Sequence, residues 1–129
     1  MARRATGRPT DQELEILKVL WGLGPSTVRS VWEAMRGSRR VGYTTTLKML
    51  QIMTDKGLVV RDDSQRAHVY RPRQSRAMVA RKLAGDLVER VFDGSTPQLV
   101  LHALSRKKAS AEELAEVRKL LDEIERRER

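Results

Sequence analysis

Hydrophobic positions along this chain recur mostly at helical spacing, and one short central stretch switches to alternation. Leu14, Leu17 and Trp21 share a face of a first predicted helix, widened by Ile16 and Leu20. Thr10-Asp-Gln-Glu13 ahead of it has the form of a capping box, the Thr10 hydroxyl accepting from the Glu13 amide while the Glu13 side chain reaches back. Gly22-Leu-Gly-Pro25 stops that helix, because Gly permits a left-handed cap and Pro cannot extend the hydrogen-bond ladder. A second helix starts at Ser26 or Thr27, carries Val28, Val31, Trp32 and Met35 on one face, and ends at Gly37; residues 38–42 form the turn. In a third helix Thr46, Met49, Leu50 and Met53 make the packing stripe. The pattern then changes period. Leu58 to Asp62 is β-prone, Asp63-Ser-Gln65 supplies turn residues, and Arg66 to Arg71 alternates until Pro72 breaks it, which predicts a two-stranded hairpin.

Three more helices follow. The first runs from Ser75 to about Phe92, with Val79, Leu83, Leu87 and Val91 on one seam. Thr96-Pro97 opens the next, Thr96 as N-cap and Pro97 at the first helical position, through Leu101 and Leu104. A second capping box, Ser110-Ala-Glu-Glu113, starts the last, which carries Leu114, Val117, Leu121 and Ile124. These helices hold too little chain for an independent globule, so their stripes require a partner. Twofold pairing with the same segment of a second subunit is the economical solution, and folding back on the preceding domain is the alternative. The expected organisation is a flexible basic arm over residues 1–9, a DNA-binding domain over 10–73 and a three-helix dimerisation domain over 74–129.

Two amphipathic helices, a third with small polar residues at its start and then a tight hairpin are the order of a winged helix-turn-helix. The fold class expected is therefore mostly α with a small β-hairpin wing. The third helix has an outward stripe of Thr44, Leu47, Lys48 and Gln51, with Tyr43 and Thr45 at its beginning. Hydroxyls can bond phosphates or base edges, Lys48 can neutralise a phosphate or reach guanine, and Leu47 can touch a thymine methyl. Arg66, at the wing tip, can clamp phosphates or enter a minor groove. Charge agrees with a polyanionic partner: the net charge is +9, and residues 1–73 carry 14 Lys/Arg against 7 Asp/Glu, whereas residues 74–129 carry 12 against 10. A winged helix that binds RNA or only protein is the competing reading, because basic charge alone does not separate it from one that binds double-stranded operator DNA.

The remaining composition excludes other classes. With no cysteine there is no disulfide, thiolate metal site or cysteine nucleophile, which fits a reducing, cytoplasmic setting. No apolar run approaches the ~18 residues of a membrane span, so no membrane insertion is expected, and the basic first eight residues lack the apolar core of a signal peptide. The two histidines lie far apart in sequence, with no HExxH spacing, glycine-rich phosphate loop or nucleophile elbow. His68 reads as a strand residue with a local hydrogen bond. Neither catalytic residues, a metal nor a cofactor is expected.

Thr10-Asp-Gln-Glu-Leu-Glu-Ile-Leu-Lys-Val-Leu-Trp21, Tyr43-Thr-Thr, Asp55-Lys-Gly-Leu58, Ala67-His-Val-Tyr-Arg-Pro72, Leu99-Val-Leu and Ser110-Ala-Glu-Glu-Leu together resemble the penicillinase and methicillin-resistance repressors and their copper-responsive relatives. The resemblance covers about residue 10 to 124. It implies a homodimer on a palindromic operator that represses adjacent genes, relieved when a membrane sensor metalloprotease triggers cleavage in the dimerisation domain. The family's cleavage site resembles Leu-Val-Leu-Asn-Phe, whereas this chain has Leu99-Val-Leu-His102-Ala103, so both residues flanking the corresponding bond, His102 and Ala103, differ. The copper-responsive branch uses a C-terminal cysteine cluster, and without cysteines this chain cannot sense copper through thiolates.

Overall fold

The computed structural model describes residues 8–37 and 41–129. The basic arm expected over 1–9 lies mostly outside the described residues, as do positions 38–40 of the turn. The elements run α1 (Asp11–Leu23), β1 (Ser26–Thr27), α2 (Val28–Met35), α3 (Tyr43–Lys56), β2 (Val59–Asp62), β3 (Val69–Pro72), α4 (Arg76–Val91), α5 (Thr96–Ser105) and α6 (Ala111–Glu128). The mostly helical fold class with a small antiparallel sheet is as the sequence predicts. By contacts the chain forms two compact units, one reaching to Leu83 and one from Ala84 to Arg129.

In the first unit, both halves of the Thr10–Glu13 capping box form: Thr10 Oγ1 accepts from the Glu13 amide at 3.2 Å, and the Thr10 amide donates to Glu13 Oε1 at 2.9 Å. The Glu13 carboxylate does more than cap. Its other oxygen accepts from Lys56 Nζ at 2.8 Å, which ties the start of α1 to the end of α3. Burial alone would raise the Glu13 pKa, but the Lys56 hydrogen bond and charge and the Thr10 bonds outweigh it, holding the carboxyl below its usual range. Thr27 caps α2 through the Ser30 amide. The α3 helix ends at Gly57, whose φ of 81° is the left-handed conformation a non-Gly residue resists, and Leu58 N donates back to Met53 O at 2.9 Å.

The three helices and the sheet close over one core. Ile16, Leu17 and Leu20 of α1 meet Val28, Val31 and Met35 of α2, Leu50 and Met53 of α3, Val59 of β2 and Tyr70 of β3. Thr46 is also fully buried, and its hydroxyl donates to Gly42 O at 3.1 Å rather than going unsatisfied. Met49 of the expected packing stripe is only partly buried.

The sheet has three strands, not the two expected. Its order is β1-β3-β2, with Ser26 opposite Tyr70 and Thr27 opposite Val69, so β3 is central and the segment before α2 pairs with it. The two outer residues that add this strand carry no periodic signal. The hairpin pairs Val59 with Pro72 through Asp62 with Val69, leaving residues 63–68 as the wing loop. His68 therefore lies just outside β3. Pro72 ends the strand, where its missing N–H costs nothing to the ladder, and the Arg73 amide donates to Leu58 O at 3.0 Å instead. Trp21 Nε1 donates to Gln74 O at 3.0 Å, fastening the chain after the wing to α1.

In the second unit the chain leaves α4 through Asp93 and Gly94, at φ 49° and 85°, with Gly94 N donating to Val88 O at 2.9 Å. The cap of α5 is Ser95, whose hydroxyl accepts from the Gln98 amide at 3.2 Å. Thr96, the expected cap, is instead the first helical residue, one position later. The Phe92 and His102 rings stack at 5.3 Å. The Ser110–Glu113 capping box of α6 forms in both directions, at 3.2 and 3.0 Å.

Candidate nucleic-acid interface

The stripe of α3 opposite its buried face lies open. Thr46, Leu50 and Met53 point to the core, which turns Thr44, Lys48 and Gln51 outward by the 3.6-residue period, and all three are exposed. Tyr43 and Thr45 are exposed beside them at the start of the helix. Leu47 behaves differently. It sits on the flank of the stripe, about one quarter-turn from the core direction, and is half-buried against the core cluster. Its side chain is thus largely committed to packing, and the large apolar side chain that α3 leaves more open is Ile52, 41% exposed. Asp55, two turns beyond Lys48 on the outward stripe, is exposed as well. The spacing 44, 48, 51, 55 puts it on the same face as the candidate contact residues, where its carboxylate would face any polyanion.

The start of α3 is distinctive. Its cap, Gly42, offers no side-chain acceptor, whereas Thr10, Thr27, Ser95 and Ser110 cap their helices. The first amides of α3 are left to a solvent molecule or an anion, and the helix dipole favours the anion. Tyr43, the first helical residue, meets Trp32 of α2 edge-on at 5.9 Å. Trp32 is itself anchored by its Nε1–H to Val41 O at 3.0 Å.

At the wing, the charges are arranged before any partner arrives. The Ser64 hydroxyl and amide hydrogen-bond the Asp62 carboxylate and hold its pKa below the usual range. Asp63 accepts from Arg61 Nε at 2.8 Å and lies 3.6 Å from His68 Nε2. That pairing strengthens the hold of Arg61 on its proton and occupies its charge locally. Arg66, at the exposed loop tip, has no such carboxylate among the described residues, nor does Lys48 on α3. A helix with an open, polar outward face and a loop ending in a free guanidinium can read a groove with one and hold the backbone beside it with the other. No group of three or more potential metal ligands occurs among the described residues.

The expected dimerisation residues divide into three groups by burial. Val79 is buried within the chain, so its surface is already covered and it does not belong to an open seam. Leu83, Leu104, Leu114 and Val117 are half-buried, while Leu87, Val91, Leu101, Leu121 and Ile124 remain exposed at 40–61%. His102 and Ala103 are exposed on α5.

Residues 9–123 match the family model of the penicillinase repressors. The transcriptional regulator BlaI of Mycobacterium tuberculosis is 33% identical over 117 residues, spanning 89% of this chain and 83% of that protein. The penicillinase repressor of Bacillus licheniformis is 24% identical over 120 residues, 93% and 94% of the two chains. The solution structure of Bacillus licheniformis BlaI, a monomeric form in complex with the blaP half-operator, is similar in fold, with a TM-score of 0.50 at 23% identity over 57% of this chain and 90% of that one. The match runs from the first capping box through the wing and into the last helix, and the chain belongs to the penicillinase repressor family.

Proposed function

We propose that this chain is a DNA-binding transcriptional repressor that acts as a homodimer on a palindromic operator. The observation that carries this reading is the outward face of α3, where Thr44, Thr45, Lys48 and Gln51 are exposed beside Tyr43 and unencumbered by ion pairs, with Arg66 open at the tip of the adjoining wing. α3 lies in a major groove and the wing holds the flanking backbone. Residues 10–73 are the reading domain and residues 74–129 join two copies. Support for that second role comes from burial: no hydrophobic side chain after Val79 is fully buried, although α4, α5 and α6 carry apolar stripes throughout. A second copy that covers Leu87, Val91, Leu101, Leu121 and Ile124 completes the core that one chain lacks.

Induction by a membrane sensor metalloprotease is the release mechanism that this architecture supports. The His102–Ala103 bond is exposed on α5, and its cleavage would detach α6 from the rest of the pairing segment. The protein works in the cytoplasm, where operator and sensor domain meet it. A gel shift with a dyad-symmetric duplex, its separated strand and an RNA of equal length tests the repressor reading. Tight, salt-sensitive binding to the duplex alone is expected. Preference for single strands or RNA refutes it.

A further inference from the structure

The connection between α2 and α3 carries a cation that the family resemblance does not single out. Arg36, the C-cap residue of α2, lays its guanidinium over the Trp32 ring, 5.0 Å from the ring centroid. The indole is fixed in turn, by its hydrogen bond to Val41 O at 3.0 Å and by the Tyr43 ring against it. Arg36 is exposed, and among the described residues no carboxylate pairs with it. Its neighbour on the same helix is otherwise treated: Arg29 is neutralised by Glu33 at 3.2 Å. A shallow concavity lined by Trp32, Arg36, Val41 and Gly42 opens beside the stack. A guanidinium attracted to an aromatic face spends none of its N–H donors on that contact, and its planar fork matches two phosphate oxygens.

We infer that the Arg36–Trp32 stack is a phosphate clamp, which grips the DNA backbone at the turn side of α3 and so sets how deeply α3 enters the groove. The inference rests on the repressor reading given above. Lys48 and Arg66 hold the duplex from the outward face of α3 and from the wing, and Arg36 holds it from the α2 end of the turn. Trp32 acts here as a positioning residue: it touches Arg36 and Tyr43, and orders both before DNA arrives, so less side-chain freedom is lost on binding.

Phosphate contacts are independent of sequence, so the test needs no knowledge of the operator. The full-length chain is titrated against a short fluorescein-labelled duplex of arbitrary sequence over a range of salt, as wild type, Arg36→Ala, Arg36→Lys and Lys48→Ala. Arg36→Ala should lower the salt slope by about 0.9 per bound chain and weaken binding on the order of 5–10-fold near 0.1 M salt, with the curves converging as salt rises. Arg36→Lys should keep the slope, since charge is retained, yet bind a few-fold more weakly, since an ammonium has no planar fork to stack. Thermal midpoints should stay at the wild-type value for both Arg36 variants. An Arg36→Ala slope equal to wild type, while Lys48→Ala lowers it, overturns the clamp alone. A weaker Arg36→Ala with unchanged slope and a lowered thermal midpoint assigns the stack a purely structural role and also overturns it. A wild-type chain without salt-sensitive duplex binding overturns the repressor reading, and the clamp falls with it.

Discussion

Replacing Glu13 by Gln isolates one long-range contact from the local one that shares its carboxylate. Gln at the third position of a capping box still accepts from the Thr10 amide, so the helix start is preserved. What is lost is the ion pair to Lys56, whose Nζ lies 2.8 Å from an oxygen of a side chain that is only 7% exposed. Hydrogen bonds to charged groups contribute about 1.5–3 kcal/mol. Lys56, 29% exposed, recovers water when released, which reduces the net loss to about 1–2 kcal/mol. For a domain of this size that corresponds to a thermal midpoint lower by about 5–10 °C. The pH dependence has a definite sign. The folded carboxyl is held below its unfolded value of about 4.3, so its contribution is complete above that value and is lost as pH falls through the folded one. Urea unfolding of the full chain, followed by the fluorescence of Trp21 and Trp32, measures both effects, since each indole is hydrogen-bonded within the first unit. The stability gap between wild type and Glu13→Gln should be full at pH 7 and close progressively below about pH 4. A gap that is absent at pH 7, or that widens on acidification, refutes the assignment of Glu13 as a charged link between α1 and α3.

Other expectations follow from the exposed faces. Lys48→Ala and Arg66→Ala should each flatten the salt dependence of duplex binding by about 0.9 per chain, read from fluorescence anisotropy. Substitutions at Thr44 and Thr45 should change which half-site is preferred more than they change affinity for arbitrary DNA, as a competition series with altered half-sites would reveal. Leu121→Lys or Ile124→Lys, both at positions about half exposed in one chain, should shift sedimentation from dimer to monomer while the helical signal is kept; a dimer of unaltered affinity counts against α6 as part of the pairing surface. Mass spectrometry of the chain co-expressed with a candidate sensor metalloprotease and its inducer should show a new terminus at Ala103, and an intact chain that nonetheless leaves its operator removes proteolysis from the mechanism.

What the sequence made legible was local. Both Thr/Ser-x-x-Glu boxes form, because each needs only residues three apart, and helical period places most of the buried residues of α1 to α3, although Leu14, Trp21, Trp32 and Met49 of the predicted faces are only partly buried. The existence of the hairpin was readable from alternation around a polar turn, but the second strand begins at Val69, three residues later than the alternation from Arg66 suggests. The features that escaped are those decided across distance or by a single residue of phase. A two-residue strand such as β1 has no period to detect, and its pairing with Tyr70 and Val69 joins segments more than forty residues apart. Ser95 and Thr96 both carry a capping hydroxyl, and which one caps depends on how the turn at Gly94 delivers the chain. Leu47 and Val79 obeyed the helical spacing of exposed or seam positions, but neighbours from elsewhere in the chain cover them in whole or part. Of the candidate site, residue identities along α3 and at Arg66 were readable, while the fixing of Trp32 by Val41 and Tyr43 required the fold.

The central place of β3 has a mechanical consequence. The strand that leads out of the wing loop is hydrogen-bonded on one side to β2 and on the other to the residues that open α2, and its Tyr70 is fully buried. A push on the wing tip is therefore transmitted along β3 to the base of α2 rather than absorbed by a hinge between wing and helices. The loop at 63–68 lies outside the ladder, and with the exposed side chains of α3 it has freedom to lose if a rigid duplex is met. Wing and α3 form a single stamp whose angle is set in the free protein, and on the proposed reading a duplex whose groove does not suit that angle would have to bend to be gripped.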